Sequence, residues 1–240
     1  MYNPLISANA LYGEALSLGS DRVKSKYKRR LNLLLCATVF VLGLSSLAVA
    51  VARDGADWPR VFRFMTVIGT LYTTLLSGVV FAVTLRGGRI WERTRVPLYF
   101  LRLCAAVSEC VIAIVIILSF LPFIPDSPDI FRYDSFVMHV AIPILTVGSF
   151  VLCAPSAGAM TPPAHFNGSW LLVIYSAVVT ALIISGVMPR EDIPYSFLEF
   201  GSRPLWYVLL SAAIIFGGAY VISFVLSGVN LRLGKRRGNG

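Results

Sequence analysis

Two side chains in this sequence have the types that nucleophilic ester chemistry requires. Thr66 and His139 each lie a few residues inside a long apolar segment. A hydroxyl attacks an acyl carbon once a nearby base takes its proton, and a neutral imidazole can serve as that base. Counted from Val61 and Phe136 at the helical rise, Thr66 is about 8 Å and His139 about 5 Å below one membrane face. The run Met138-His139-Val140-Ala141-Ile142-Pro143 adds a local reason for open space. Pro143 has no N–H for the carbonyl of His139, so the spacing predicts a kink beside the imidazole. Two plainer readings stay open. Intramembrane hydroxyls often bond back to a carbonyl one turn earlier, and a neutral histidine can simply bridge two helices.

Other polar residues in apolar surroundings extend the list. Arg63, Thr66, Thr70, Thr73 and Ser77 recur every three or four residues and share one helical face,. Such a stripe is unfavourable against lipid, so it should face the bundle interior or a polar cavity. Arg63 and Thr70 are thus candidates to stabilise an oxyanion. Glu109 lies near the middle of the third apolar segment, and Arg102 precedes it by seven residues. That spacing is about 10 Å along an ideal helix, too far for direct pairing. Glu109 could be a protonated structural group, a partner of a stripe hydroxyl or a step in a proton path. In the last polar loop, Tyr195 and Glu199 could contact a substrate or orient a basic group. Interfacial anchoring explains Tyr195 equally well.

The elements that must carry these residues are long apolar helices. The chain has 240 residues, 57% of them hydrophobic and only 14% charged, with a mean hydropathy of +0.76. A bilayer core is crossed by about 20 mostly apolar helical residues. Six segments qualify: Leu31–Ala52, Val61–Leu85, Val96–Pro122, Phe136–Cys153, Trp170–Met188 and Leu205–Val229. The expected fold is all-α and polytopic: a basic tail over 1–30, a six-helix membrane domain over 31–229 and a second basic tail over 230–240. Of the 21 Lys and Arg, fourteen fall in the two tails and the loop between spans two and three. The positive-inside rule therefore predicts cytoplasmic termini, with the cell membrane as the expected location. Basic segments beside anionic headgroups explain the net charge of +9 without nucleic acid,.

Several classes are excluded by what the sequence lacks. Cys36, Cys104, Cys110 and Cys153 lie within or at the ends of spans, and none stands at metal-ligand spacing from a histidine. They read as small buried hydrophobes. No CxxC, HExxH, Walker or Rossmann pattern occurs, so neither metal nor cofactor is expected,. The Gly-x-Ser-Gly turn of rhomboid-type proteases is missing too. Ala48-Val49-Ala50 follows an apolar run much longer than the roughly 7–15 residues of a signal peptide. It is therefore expected to end a retained first span.

Three blocks, in order, carry a family resemblance. They are Arg63-Phe64-Met65-Thr66-Val67-Ile68-Gly69-Thr70, His139-Val140-Ala141-Ile142-Pro143, and Trp170-Leu171-Leu172 followed by Ile193-Pro194-Tyr195-Ser196-Phe197-Leu198-Glu199. Over residues 30 to 235 they resemble the bacterial predicted six-transmembrane-protein family. Gly69-Thr70 stands where that pattern has Ser-Asn. The family is similar to the eukaryotic androgen-induced-protein family, six-span hydrolases of fatty acid esters of hydroxy fatty acids. The resemblance implies Thr66 as nucleophile and His139 as general base.

The expected function is therefore an intramembrane lipid-ester hydrolase whose partners are membrane lipids and a hydrophobic acyl-ester substrate. Two other classes compete with it. One is a proton-coupled transporter or channel using Glu109 and His139; the other is a lipid-binding scaffold without catalysis.

Overall fold

A computed structural model describes residues 4–119, 131–154, 168–195, 198 and 203–238. Among them the chain is all-helical, without a strand. Helix α1 spans Pro4–Asp54, α2 Met65–Arg86, α3 Gly88–Ser119 and α4 Tyr133–Phe136. Then come α5 over Ile142–Cys153, α6 over Trp170–Ile184 and α7 over Leu205–Gly238. A 3-10 helix, Gly55–Arg63, joins α1 to α2, and a π segment, Val137–Ala141, joins α4 to α5. Among the described residues, five stretches are long and apolar enough to cross a membrane: Lys26–Arg63, Met65–Arg86, Val96–Ile117, Tyr133–Cys153 and Leu205–Leu233. Helix α6 is apolar but only 15 residues long, or about 22 Å.

The helix ends differ from the sequence-based spans for physical reasons. The second span starts at Met65, not Val61. Pro59 lies inside the 3-10 helix, and Phe64 is extended at φ −84°, ψ 134°. Thr66 therefore stands on the first turn of α2. The basic segment before residue 31 continues α1, and the one after 229 continues α7. Span five ends early because Gly186, at φ +71°, turns the chain after Ile184. Span three is helical to Ser119, and its expected end at Pro122 lies outside the described residues.

Helix α3 is the hub. It packs on α2, α5, α6 and α7, while α1 closes the bundle against α2 and α5. Leu103, Ala106 and Val107 of α3 are fully buried among Phe150, Leu172 and Leu226. Helices α1 and α2 meet so closely at Gly43 that a Cβ there would stand 1.9 Å from Thr74 Oγ1. Small residues at such crossings let backbones approach where lipid supplies no hydrophobic drive. Helix α7 is the least enclosed of the five membrane-length helices, with 17% of its apolar stretch buried. At the far end of α2, Arg29 donates to the carbonyls of Thr84 and Leu85, closing carbonyls that the last turn leaves open,.

Candidate functional site

Thr66 and His139 line the same cavity, about 730 Å³ in volume. Ligand sites usually span roughly 300–1,000 Å³, so a small lipid or its acyl part fits the range. Most of the wall is apolar, from Val111, Ile112 and Val115 of α3 and Leu209, Ile215 and Phe216 of α7. Polar groups gather where the N-terminus of α2 meets the π segment. Val67 and Met138, the neighbours of Thr66 and His139 in sequence, share one apolar cluster with Leu47, Ala50 and Val61. That cluster is what brings the two segments together.

The proline effect takes a specific form. Instead of a simple kink, the helix passes through the π segment just before Ile142 and Pro143, with the Ile142 N–H bonded to the Val137 carbonyl. Five-residue spacing accommodates one more residue per turn than an α-helix, and such turns are frequent at functional sites. His139 lies at the centre of it. Its Nδ1 is 2.8 Å from the Ser135 carbonyl oxygen and 3.2 Å from Ser135 Oγ. A carbonyl only accepts, so that bond puts the proton on Nδ1 and leaves the lone pair on Nε2. Among the described residues Nε2 makes no hydrogen bond. That is the tautomer a general base needs.

Around Thr66 two tyrosine hydroxyls are anchored on the backbone. Tyr195 Oη accepts the Met65 N–H at 3.1 Å, and the side chains of Thr66 and Tyr175 lie close enough to act on its phenol. Tyr175 Oη donates to the Arg63 carbonyl. Burial pushes the Tyr195 phenol above its ordinary range, against the opposing pull of the Met65, Thr66 and Tyr175 hydrogen bonds. It therefore stays protonated and able to donate at neutral pH. Thr66, near the start of α2, also feels the positive end of the helix dipole, which favours negative charge there,.

A charged rim borders the cavity. Asp134, buried on α4, is 2.6 Å from an Arg53 guanidinium nitrogen and 3.2 Å from one of Arg132. All three line the cavity.

The remaining sequence candidates fall elsewhere. Arg63 pairs with Asp192, lies over the Phe64 ring and is not among the lining residues. Its carbonyl accepts the Tyr175 hydroxyl. Thr70 is fully buried outside the cavity, with its hydroxyl unpartnered and its carbonyl accepting Thr74. Glu109 is buried as well; its Oε1 accepts the Thr73 hydroxyl at 2.9 Å. It does not line the cavity that His139 lines. The polar stripe does face inward, with Thr73 buried like Thr70 and Ser77 lining a second, smaller void. Tyr195 is at the site, while Glu199 lies outside the described residues.

Ser135 and Tyr175 were not singled out from the sequence. Ser135 stands one helical turn before His139, a spacing that could have flagged it. Tyr175 sits in an otherwise plain apolar helix, and its role depends on a neighbour 112 positions away. No protein-family model, characterised protein or solved structure matches this chain.

Proposed function

We propose that the chain is an integral membrane hydrolase of lipid acyl esters, with Thr66 as nucleophile and His139 as general base. One observation carries the reading. The two residues line a single apolar cavity, and His139 is held by Ser135 in the tautomer that exposes a basic Nε2. The resemblance to six-span membrane hydrolases selects the same pair.

The steps balance as an acyl transfer. Thr66 Oγ attacks the ester carbonyl carbon while its proton passes to His139 Nε2. Tyr195, protonated and adjacent to Thr66, donates to the developing oxyanion in place of Arg63, beside the positive end of α2. The C–O bond breaks and the imidazolium returns its proton to the departing alcohol. Water, deprotonated by Nε2, then attacks the acyl-threonine, and the carboxylic acid leaves as Thr66 regains its proton. The apolar wall formed by α3 and α7 suits an acyl chain, and the Arg53–Asp134–Arg132 rim suits the wet end of a lipid.

Six crossings, cytoplasmic termini and a cell-membrane location complete the proposal. Support comes from charge. Arg53, Arg60, Arg63 and Arg132 on this side pair with acids, while most of the 21 basic residues lie in the opposite loops and tails,. The cavity then faces the outer leaflet.

Labelling of the purified protein by a fluorophosphonate probe tests the reaction. Wild type is expected to label, and Thr66→Ala and His139→Ala are not. Equal labelling of all three sinks the hydrolase reading; retained lipid binding without labelling in any of them favours a scaffold.

A further inference from the structure

A second void, far smaller, lies where α1, α2, α3 and α5 meet. It has a volume of about 20 Å³ and is lined by Cys36, Thr73, Ser77, Arg102, Thr146 and Ser149, among others. Arg102 is 5% exposed. One terminal nitrogen, Nη2, donates to Asn32 Oδ1 at 3.0 Å and to the Ser149 carbonyl and hydroxyl at 2.7 Å each. These acceptors are neutral. Among the described residues no carboxylate pairs with this guanidinium, and its other terminal nitrogen, Nη1, is buried without a partner. Thr146 Oγ1, on the same void, is buried without a partner as well. The Cys36 thiol is engaged with Asn32 and Ser149.

An isolated buried cation is costly in a low-dielectric interior, and so is each orphaned donor. Glu109 does not remove that cost. It does not line the void, it takes the Thr73 hydroxyl, and seven residues of helix separate it from Arg102 by about 10 Å. The void exceeds the roughly 10–15 Å³ that one water needs, and it is too small for a carboxylate or an oxyanion such as sulfate. Water would satisfy the donors and leave the charge uncompensated. A halide accepts from every donor and carries the missing negative charge.

We infer that this void is a binding site for a single halide, chloride under ordinary conditions, held by Arg102 Nη1 and the Thr146 hydroxyl. The bound ion bridges α3 and α5, where α1 and α2 close around them, in the half of the bundle away from the large cavity. This assignment is independent of ester chemistry.

The test is thermal unfolding of the detergent-purified protein as chloride replaces gluconate at constant ionic strength. Tm is expected to rise with chloride and then flatten into the logarithmic dependence of a bound ligand, with bromide acting alike. Thr146→Val should raise the half-effective chloride concentration about tenfold, the loss of one charge-assisted hydrogen bond. Arg102→Met should abolish the chloride dependence. Should that variant not fold, Thr146→Val and the anomalous signal of bromide in crystals decide. A bromide peak beside Arg102 supports the site. Equal Tm in chloride and gluconate, or only water in the void, overturns it.

Discussion

The large cavity and the small void treat their polar groups in opposite ways. In the cavity, room is ample and the hydroxyls of Tyr175 and Tyr195 are tied to the backbone of Arg63 and Met65, with Thr66 beside them on the same wall. Around the void, packing is tight and Arg102 and Thr146 each keep an unpartnered donor. The difference separates two uses of buried polarity. Groups that satisfy each other around open, greasy space are pre-organised for a guest that is mostly apolar. Donors left open around a space of one small particle call for a specific, charged occupant.

The contrast can be broken by substitution, and the largest effect is expected at Thr66. Thr66→Ala should lower probe labelling and ester turnover by about a thousandfold or more, while Thr66→Ser, which keeps the hydroxyl, should stay within about tenfold. Similar loss in both variants would show that packing, not the nucleophile, is what matters. Tyr195→Phe removes one donor beside Thr66 and the acceptor of the Met65 N–H; it should cost about a hundredfold in turnover, in line with loss of an oxyanion donor, with only a modest fall in Tm. A fall in Tm with unchanged turnover would make Tyr195 a structural strut instead. On the other side of the comparison, Asn32→Ala leaves both Arg102 and Thr84 short of a partner. It should destabilise by about 1–3 kcal/mol, read as a lower Tm in detergent, with labelling intact. Ser135→Ala should be mildest. The Ser135 carbonyl still holds His139 Nδ1, so turnover should fall only a few-fold, and a larger loss would assign the hydroxyl a greater share in orienting the imidazole.

How much of this could be read from the chain depends on whether a property is local. Apolar length and the inward polar stripe are local, and α2 does carry Thr70 and Thr73 buried on one face. That Thr66 and His139 stand near the starts of apolar helical segments was legible for the same reason, although the extended Phe64 brings Thr66 closer to its helix start. What the sequence could not supply were neighbours across helices. Tyr175 acts through a carbonyl on another segment, and Arg63 is drawn off the stripe by Asp192, 129 positions away. Arg102 shows the same limit. Its seven-residue spacing from Glu109 correctly argued against pairing, but nothing in the spacing revealed Asn32 and Ser149 as its actual acceptors.

The π segment has a consequence for how this protein tolerates change in length. A π turn is equivalent to one residue inserted into an α-helix, and one residue corresponds to about 100° of rotation. Deleting any single residue between Val137 and Ala141 would let Tyr133–Cys153 run as one continuous α-helix. Five residues of a π turn cover about the rotation that four cover in an α-helix, so Tyr133–Phe136 and Ile142–Cys153 would keep their relative orientation and only the residues between them would be re-phased,. His139 would then be turned relative to the cavity wall. The position of the imidazole is thus set by a count of residues, and conservative replacement of its neighbours should disturb it far less than the loss of any one of them.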